Sequence, residues 1–315
     1  AVTSALGGAG WIWWSGRHAA ATRPVLLVGI DGGEWKVVRQ LWQQGKLPNL
    51  RRIAEAGTSG PLKTAYGPSP VIWTTVVTGL RPTEHGITDF VISTPRGDLP
   101  VSSTIRKAPA LWNMLSQVGR RVVALGFWGS WPAETVLGIV VSDRVALDLP
   151  QTVSPPEFKE RLDRWVASSS GDFPKFQRTD SAQNRDFHVA VAARALASEK
   201  QDLLMAYFRS PDIVSHIYWK YFDSKRFQAI PPEEMERHRD KVPMVVERYL
   251  LGKFRDKMRA FGPRTDEAHL TLNNVPKLWY LVNARLSYES ADKCRAIIVR
   301  SRPNRLAVCF GIKSH

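Results

Sequence analysis

Cysteine is nearly absent: the 315-residue chain holds two, Cys294 and Cys309, both close to its C-terminal end. A disulfide framework therefore does not hold the main body together, and the pair gives no reading of redox compartment. Long apolar runs are also missing. The stretch from Ala5 to Trp14 comes nearest and is too short to span a bilayer. It reads either as the remainder of a clipped signal or membrane anchor, or as a leader whose tryptophans lie on the surface. The first reading inclines the expectation towards an extracytoplasmic or membrane-tethered protein over a cytoplasmic one, with membrane association through residues 1–23. Acidic residues are scarce as well, 29 Asp and Glu against 44 Lys and Arg, for a formal charge of +15. Such an excess attracts anions but does not locate a site. From Lys253 to His315 there are 13 basic against 5 acidic residues, so about half of the excess sits in the last fifth of the chain. An evenly basic binding face is thereby disfavoured, and nucleic acid is not the expected partner.

What is present suits a large globular core, since 43% of the residues are hydrophobic. Val25 to Ile30 is a continuous apolar run between Pro24 and Gly32-Gly33, which predicts a fully buried strand ending at Asp31. Trp35, Val38, Leu41 and Trp42 follow at helical spacing, and a second helix is expected from about Asn49 to Ala56. Val71 to Val77 has helix length and begins just after Ser69, with Pro70 suited to the first turn. Further helices are expected over Ala110 to Val118 and Asn184 to Ala197, and strands over Arg121 to Phe127, Gly138 to Val141 and Asp202 to Phe208. Leu149 to Pro156 and Ser168 to Lys175 read as surface connections, and Pro231 starts a charged helix. The alternation predicts an α/β fold, a largely parallel central sheet with helices on both faces. Ligands of such sheets gather at strand C-terminal ends, where Asp31 and the segment after Phe208 emerge.

Three chemical features stand out. Asp31 follows a buried strand, a place where an acid either caps a loop or holds a cation. Ser69 opens an apolar helix, where it is either a plain N-cap or a nucleophile favoured by the helix dipole and free amides. Asp212 and His216 lie four residues apart, hence on one face of a helical turn, and could converge on one cation or simply cap and pack. His85, in the turn Pro82 to Ile87, reads as structural.

Val25 to Gly33, Gly45 to Leu50 with Gly57, and Ser69 to Ile87 together resemble the N-terminal half of a type I phosphodiesterase/nucleotide pyrophosphatase of the alkaline phosphatase superfamily. The likeness continues through Ala110 to Leu115, Gly119 to Val123, Gly138 to Asp143 and Ser210 to His216, on the bacterial phosphohydrolase/phosphomutase-like branch. The resemblance implies a metal-dependent phosphoric-ester hydrolase with Ser69 as nucleophile and a phosphoseryl intermediate. It implies Asp31, Ser69, Asp212 and His216 as metal ligands, two divalent ions, zinc by family with manganese also suited to the O/N donor set, and a phosphate-ester substrate. A phosphomutase would share this site.

Two departures qualify that expectation. The family's Asn about twenty residues beyond the nucleophile, which binds a phosphoryl oxygen, is replaced here by Asp89-Phe90. The family's Asp-His-Gly and its later Gly-x-His do not occur after Asp223, where the histidines are His238, His269 and His315. After about Tyr249 the resemblance fades. The expected organisation is a leader over 1–23, an alkaline phosphatase-like α/β domain over 24–250 and a basic divergent tail over 251–315. A frame-shifted or replaced tail would leave an incomplete enzyme, so an inactive, anion- or membrane-binding pseudoenzyme stands as the alternative.

Overall fold

The computed structural model describes residues 24–63, 65–95, 97–169, 181–227, 229–251, 295–301 and 306–311. In chain order the elements are β1 (Val25–Asp31), α1 (Trp35–Gln43), α2 (Pro48–Ala56), β2 (Gly57–Lys63), α3 (Ser69–Thr78), α4 (Pro82–His85), β3 (Val91–Thr94) and β4 (Gly97–Pro100). They continue with α5 (Leu111–Gln117), β5 (Val122–Leu125), β6 (Gly138–Val141), β7 (Val153–Ser154), α6 (Phe158–Ser168), α7 (Ser181–Leu196), β8 (Leu203–Phe208) and α8 (Ser210–Phe222). Last come α9 (Pro232–His238), α10 (Lys241–Leu251), β9 (Arg295–Ser301) and β10 (Leu306–Gly311).

Among the described residues, eight strands form one sheet in the order β2-β9-β10-β1-β8-β5-β6-β7. The five from β10 to β6 run parallel, while β2, β9 and β7 pair antiparallel at the two ends. β3 and β4 make a separate hairpin. The expected largely parallel α/β sheet is therefore present.

Its two faces follow from the two-residue period of extended chain. Leu26, Val28 and Ile30 of β1, Leu204, Ala206 and Phe208 of β8, and Val123 and Leu125 of β5 face one side. There they pack on α1, α2, α6, α7, α8 and α10 through residues such as Leu41, Ile53, Leu162, Val189, Val214 and Val245. The alternate residues Val122, Ala124, Leu203, Met205 and Tyr207 turn to the other side, against Trp73 and Val77 of α3 and Trp112 of α5. Each fully buried side chain of this size stabilises the fold by about 1.5–3 kcal/mol, so strands apolar on both faces commit the sheet to two helical layers.

The structure departs from the sequence expectation in places. Leu149 to Pro156 is not only a surface connection, because Thr152, Val153 and Ser154 are buried and β7 edges the sheet beside β6. A two-residue strand leaves no periodicity to read. Ser168 closes α6, and residues 170–175 lie outside the described residues, as do the leader 1–23 and most of 251–315. Strands β2, β9 and β10 and helices α6 and α10 were not anticipated. Among the described residues no helix is long and apolar enough to cross a membrane.

Candidate active site

The parity that buries Leu26, Val28 and Ile30 on one face sends Asp31 to the other, the side of α3. Gly29, one step earlier on that same face, makes room for it: a Cβ there would lie 2.7 Å from Trp73 Cζ3 and 3.2 Å from Tyr207 Cδ2. The indole of Trp73 thus lies directly over β1, tilted against the Tyr207 ring at a centroid separation of 4.6 Å. Both rings turn their polar ends to Asp31. Trp73 Nε1 donates to Asp31 Oδ1 at 3.1 Å, and the Tyr207 hydroxyl donates to Asp31 Oδ2 at 2.6 Å. The Ser69 side chain also lies beside the carboxylate and favours its charged form.

Ser69 is the first residue of α3, follows the extended Pro68, and is 2% exposed. Pro70 has no N–H, and the amides of Val71 and Ile72 both donate to Pro68 O at 3.1 Å. The expected set of free amides at this helix start is therefore reduced to that of Ser69 itself, with the helix dipole behind it. Beyond α3, buried His85 clamps the chain to the helix. Its Nδ1 accepts from the Ile87 amide at 3.1 Å and its Nε2 meets Thr75 Oγ1 at 3.0 Å. Burial pushes its pKa down to about 4, so the ring is neutral, with the Nε2 proton donated to Thr75. His85 is structural, as expected.

Asp212 and His216 sit on α8, which leaves the C-terminal end of β8 beside β1. Asp212 Oδ1 lies 3.5 Å from His216 Nε2, with Asp212 8% exposed and the His216 ring more open. The first turn of α8 presses against the end of β1: a Cβ on Gly32 would stand 2.4 Å from Asp212 Cα, and Gly32 itself has φ +66°. Burial, then the facing Asp212 carboxylate, push the Asp31 pKa up to about 6, against the opposing pull of Tyr207, Trp73 and Ser69. The four residues singled out from the sequence are thus brought together at one sheet edge.

Several residues of this edge were not foreseen. Tyr207 also accepts a hydrogen bond from Trp128 Nε1 at 2.9 Å, linking the loop after β5 to Asp31. Asp186 on α7 is fully buried and accepts from the Arg209 amide at 3.1 Å and the Ser210 amide at 2.7 Å, capping α8. Its neighbour Arg185 donates to Asp186 Oδ1 and to Gly126 O. Asp143, after β6, accepts from Ser130 Oγ at 3.2 Å. Burial raises its pKa, with Arg185 and Arg144 opposing. The one signal in sequence was the parity of β8, which puts Tyr207 on the Asp31 side once β8 is known to adjoin β1. Asn113 on α5 belongs to a separate network: its Oδ1 accepts from the Ala110 amide at 2.9 Å, and its Nδ2 donates to Glu134 at 3.2 Å.

Two facing carboxylates, with a serine hydroxyl beside one and an imidazole beside the other, are donors of the kind a hard cation takes, and a cation between them would relieve their mutual repulsion. As placed, they do not close into a metal site. Among the described residues no three His, Cys, Asp or Glu side chains converge on a common point. His238 packs instead between Tyr218 and Tyr221, at ring separations of 5.2 and 4.9 Å. His269 and His315 lie outside the described residues.

The phosphonoacetate hydrolase of Sinorhizobium meliloti 1021, solved with phosphonoformate, is similar at 15% identity and a TM-score of 0.46, over 72% of this chain and 53% of that one. Murine ectonucleotide pyrophosphatase/phosphodiesterase 5, solved with AMP, is similar at 17% identity and a TM-score of 0.40, over 73% and 52%. The alkaline phosphatase PafA gives 15% and 0.46, over 76% and 60%. The chain thus spans between about half and three fifths of the length of these solved relatives. No curated protein matches by sequence. A profile of the type I phosphodiesterase/nucleotide pyrophosphatase family matches residues 25–242. With well over half of its length inside that match, the chain belongs to the type I phosphodiesterase/nucleotide pyrophosphatase family.

Proposed function

We propose that the protein is a divalent-cation-dependent phosphoric-ester hydrolase in which Ser69 is the nucleophile and a phosphoseryl enzyme the intermediate. The observation that carries this reading is the placement of Ser69, first residue of α3, beside the Asp31 carboxylate at the C-terminal end of β1, where its hydroxyl favours the charged form. Asp31, Ser69, Asp212 and His216 would have to draw together to hold the cation, which when bound supplies charge neutralisation and an acidified Ser69 hydroxyl. Asp31 draws the Ser69 proton towards itself and so turns an Oγ lone pair towards the phosphorus. Oγ attacks in line as its proton passes to Asp31, the bond from phosphorus to the leaving oxygen breaks and that oxygen takes up the proton, and water later cleaves the Oγ–phosphorus bond, its hydroxyl going to phosphorus and its proton to Oγ, to release phosphate or its monoester. Trp73 and Tyr207 keep Asp31 in place and exclude water from its strand side.

The test is hydrolysis of chromogenic phosphate esters by zinc- or manganese-loaded protein, with Ser69→Ala alongside. Ser69→Ala is expected to lower kcat by at least about a thousandfold, as loss of a nucleophile does. A second reading, a binding protein without turnover, has in its favour that among the described residues no three His, Cys, Asp or Glu side chains are grouped so as to hold a metal ion. Folded wild-type protein no faster than Ser69→Ala would select it.

A further inference from the structure

We infer that Arg209 reads the charge of the phosphoryl group, so that the site prefers phosphate monoester dianions to diester monoanions. The inference rests on the reading of Ser69 and Asp31 as the reaction site. Phe90 packs edge-on against Trp128 at a ring separation of 5.7 Å. The Arg209 guanidinium lies over the Trp128 ring, 4.5 Å from its centroid. The N–H edge of that ring is two hydrogen bonds from the Asp31 carboxylate, through Tyr207, at 2.9 and 2.6 Å. One indole therefore carries at its edge the tyrosine that holds Asp31 and on its face a guanidinium.

Arg209 is fixed at both ends. Its amide donates to Asp186 at 3.1 Å, and its side chain is held by the indole, an arrangement that suits Arg more than Lys. Asp186 cannot neutralise it, since its oxygens already serve Arg185 and the amides of Arg209 and Ser210. Among the described residues no carboxylate forms an ion pair with the Arg209 guanidinium. A planar fork with its donors uncommitted matches two phosphoryl oxygens, and its attraction is greatest where both carry charge. A diester has one negative charge to offer, a monoester two.

The experiment uses the full chain loaded with zinc, and compares p-nitrophenyl phosphate with methyl p-nitrophenyl phosphate, which share a leaving group. Arg209→Gln is expected to lower kcat/KM for the monoester by at least about 30-fold and for the diester by less than about 3-fold, on the scale of losing one charged donor to the reacting group. Arg209→Lys, which keeps the charge and loses the fork, is expected to fall between. Titration with inorganic phosphate and with dimethyl phosphate reads the same preference without turnover. Weaker phosphate binding in Arg209→Gln, with dimethyl phosphate unchanged, supports the inference. Equal losses on both esters, or phosphate binding that is absent in the wild type or unchanged by either variant, overturn it. Absence of turnover in the wild type with phosphate binding that depends on Arg209 sinks the hydrolase reading and leaves the charge-reading role standing.

Discussion

At the scale of single residues, two glycines with the same backbone conformation separate strain from contact. Gly32 and Gly45 have φ of +66° and +70°, but a Cβ at Gly45 would meet nothing within 4 Å, whereas at Gly32 it would run into the backbone of Asp212. Gly45→Ala is therefore expected to cost about 1 kcal/mol, the left-handed penalty alone, and Gly32→Ala about 2–4 kcal/mol. Urea denaturation of the two variants measures the difference. Similar losses would mean that α8 is free to move away from β1. His85 gives a pH signature of its own. Its folded pKa of about 4 lies below the unfolded value of 6.5, so between these values the unfolded chain binds more protons and stability rises with pH. Its contribution is complete above pH 6.5 and is lost as pH falls towards 4, by up to about 3 kcal/mol. Asp31, whose pKa is raised, acts with the opposite sign, so the useful quantity is wild type minus His85→Asn. That difference should shrink from pH 7 to pH 4.5, and a pH-independent difference would refute the assignment of a neutral, buried ring.

At the scale of elements, the site depends on where α8 begins. The Arg185–Asp186 pair is buried, with side-chain exposures of 5% and 0%, and it ties α7 to the loop after β5 and to the first amides of α8. Asp186→Ala would leave a buried guanidinium without its counter-charge and uncap α8, an expected loss of about 3–5 kcal/mol. Replacing both members, Arg185→Met with Asp186→Leu, should restore much of that stability, because no uncompensated charge remains. Ester hydrolysis should stay depressed in the double variant, since Arg209 and Asp212 lose their anchor. A double-mutant cycle by denaturation, with kcat/KM recorded for each protein, checks both halves. Recovery of activity together with stability would show that the cap does not position α8.

At the scale of the whole molecule, β1 is an interior strand, paired with β8 on one side and with β10 on the other. β10 is followed outwards by β9 and β2, the last of which pairs with β9 over Gly57 to Lys63. Segments far apart in sequence therefore flank the strand that ends in Asp31. A chain stopped after residue 251 would expose the edge of β1 and unpair β2, leaving a long apolar edge open to association. It is expected to aggregate or to lose cooperative unfolding. A soluble, monomeric truncated chain with an unchanged urea midpoint would show that β9 and β10 contribute nothing to the fold.

The sequence alone determined the local elements and the reacting types. Val25 to Asp31 could only be a buried strand ending in an acid, Ser69 and Pro70 could open a helix, and Asp212 with His216 had to share a helix face, because short-range periodicity and turn chemistry decide such matters. Tertiary structure decided which of these meet. Tyr207 reaches Asp31 across 176 residues, and nothing local to β8 says that it adjoins β1. Trp128 carries Arg209, and Asp186 caps α8, for the same reason. Sheet order is chosen by the burial of whole faces, a sum over many side chains, so the partners of Asp31 became legible only once the strands were in place.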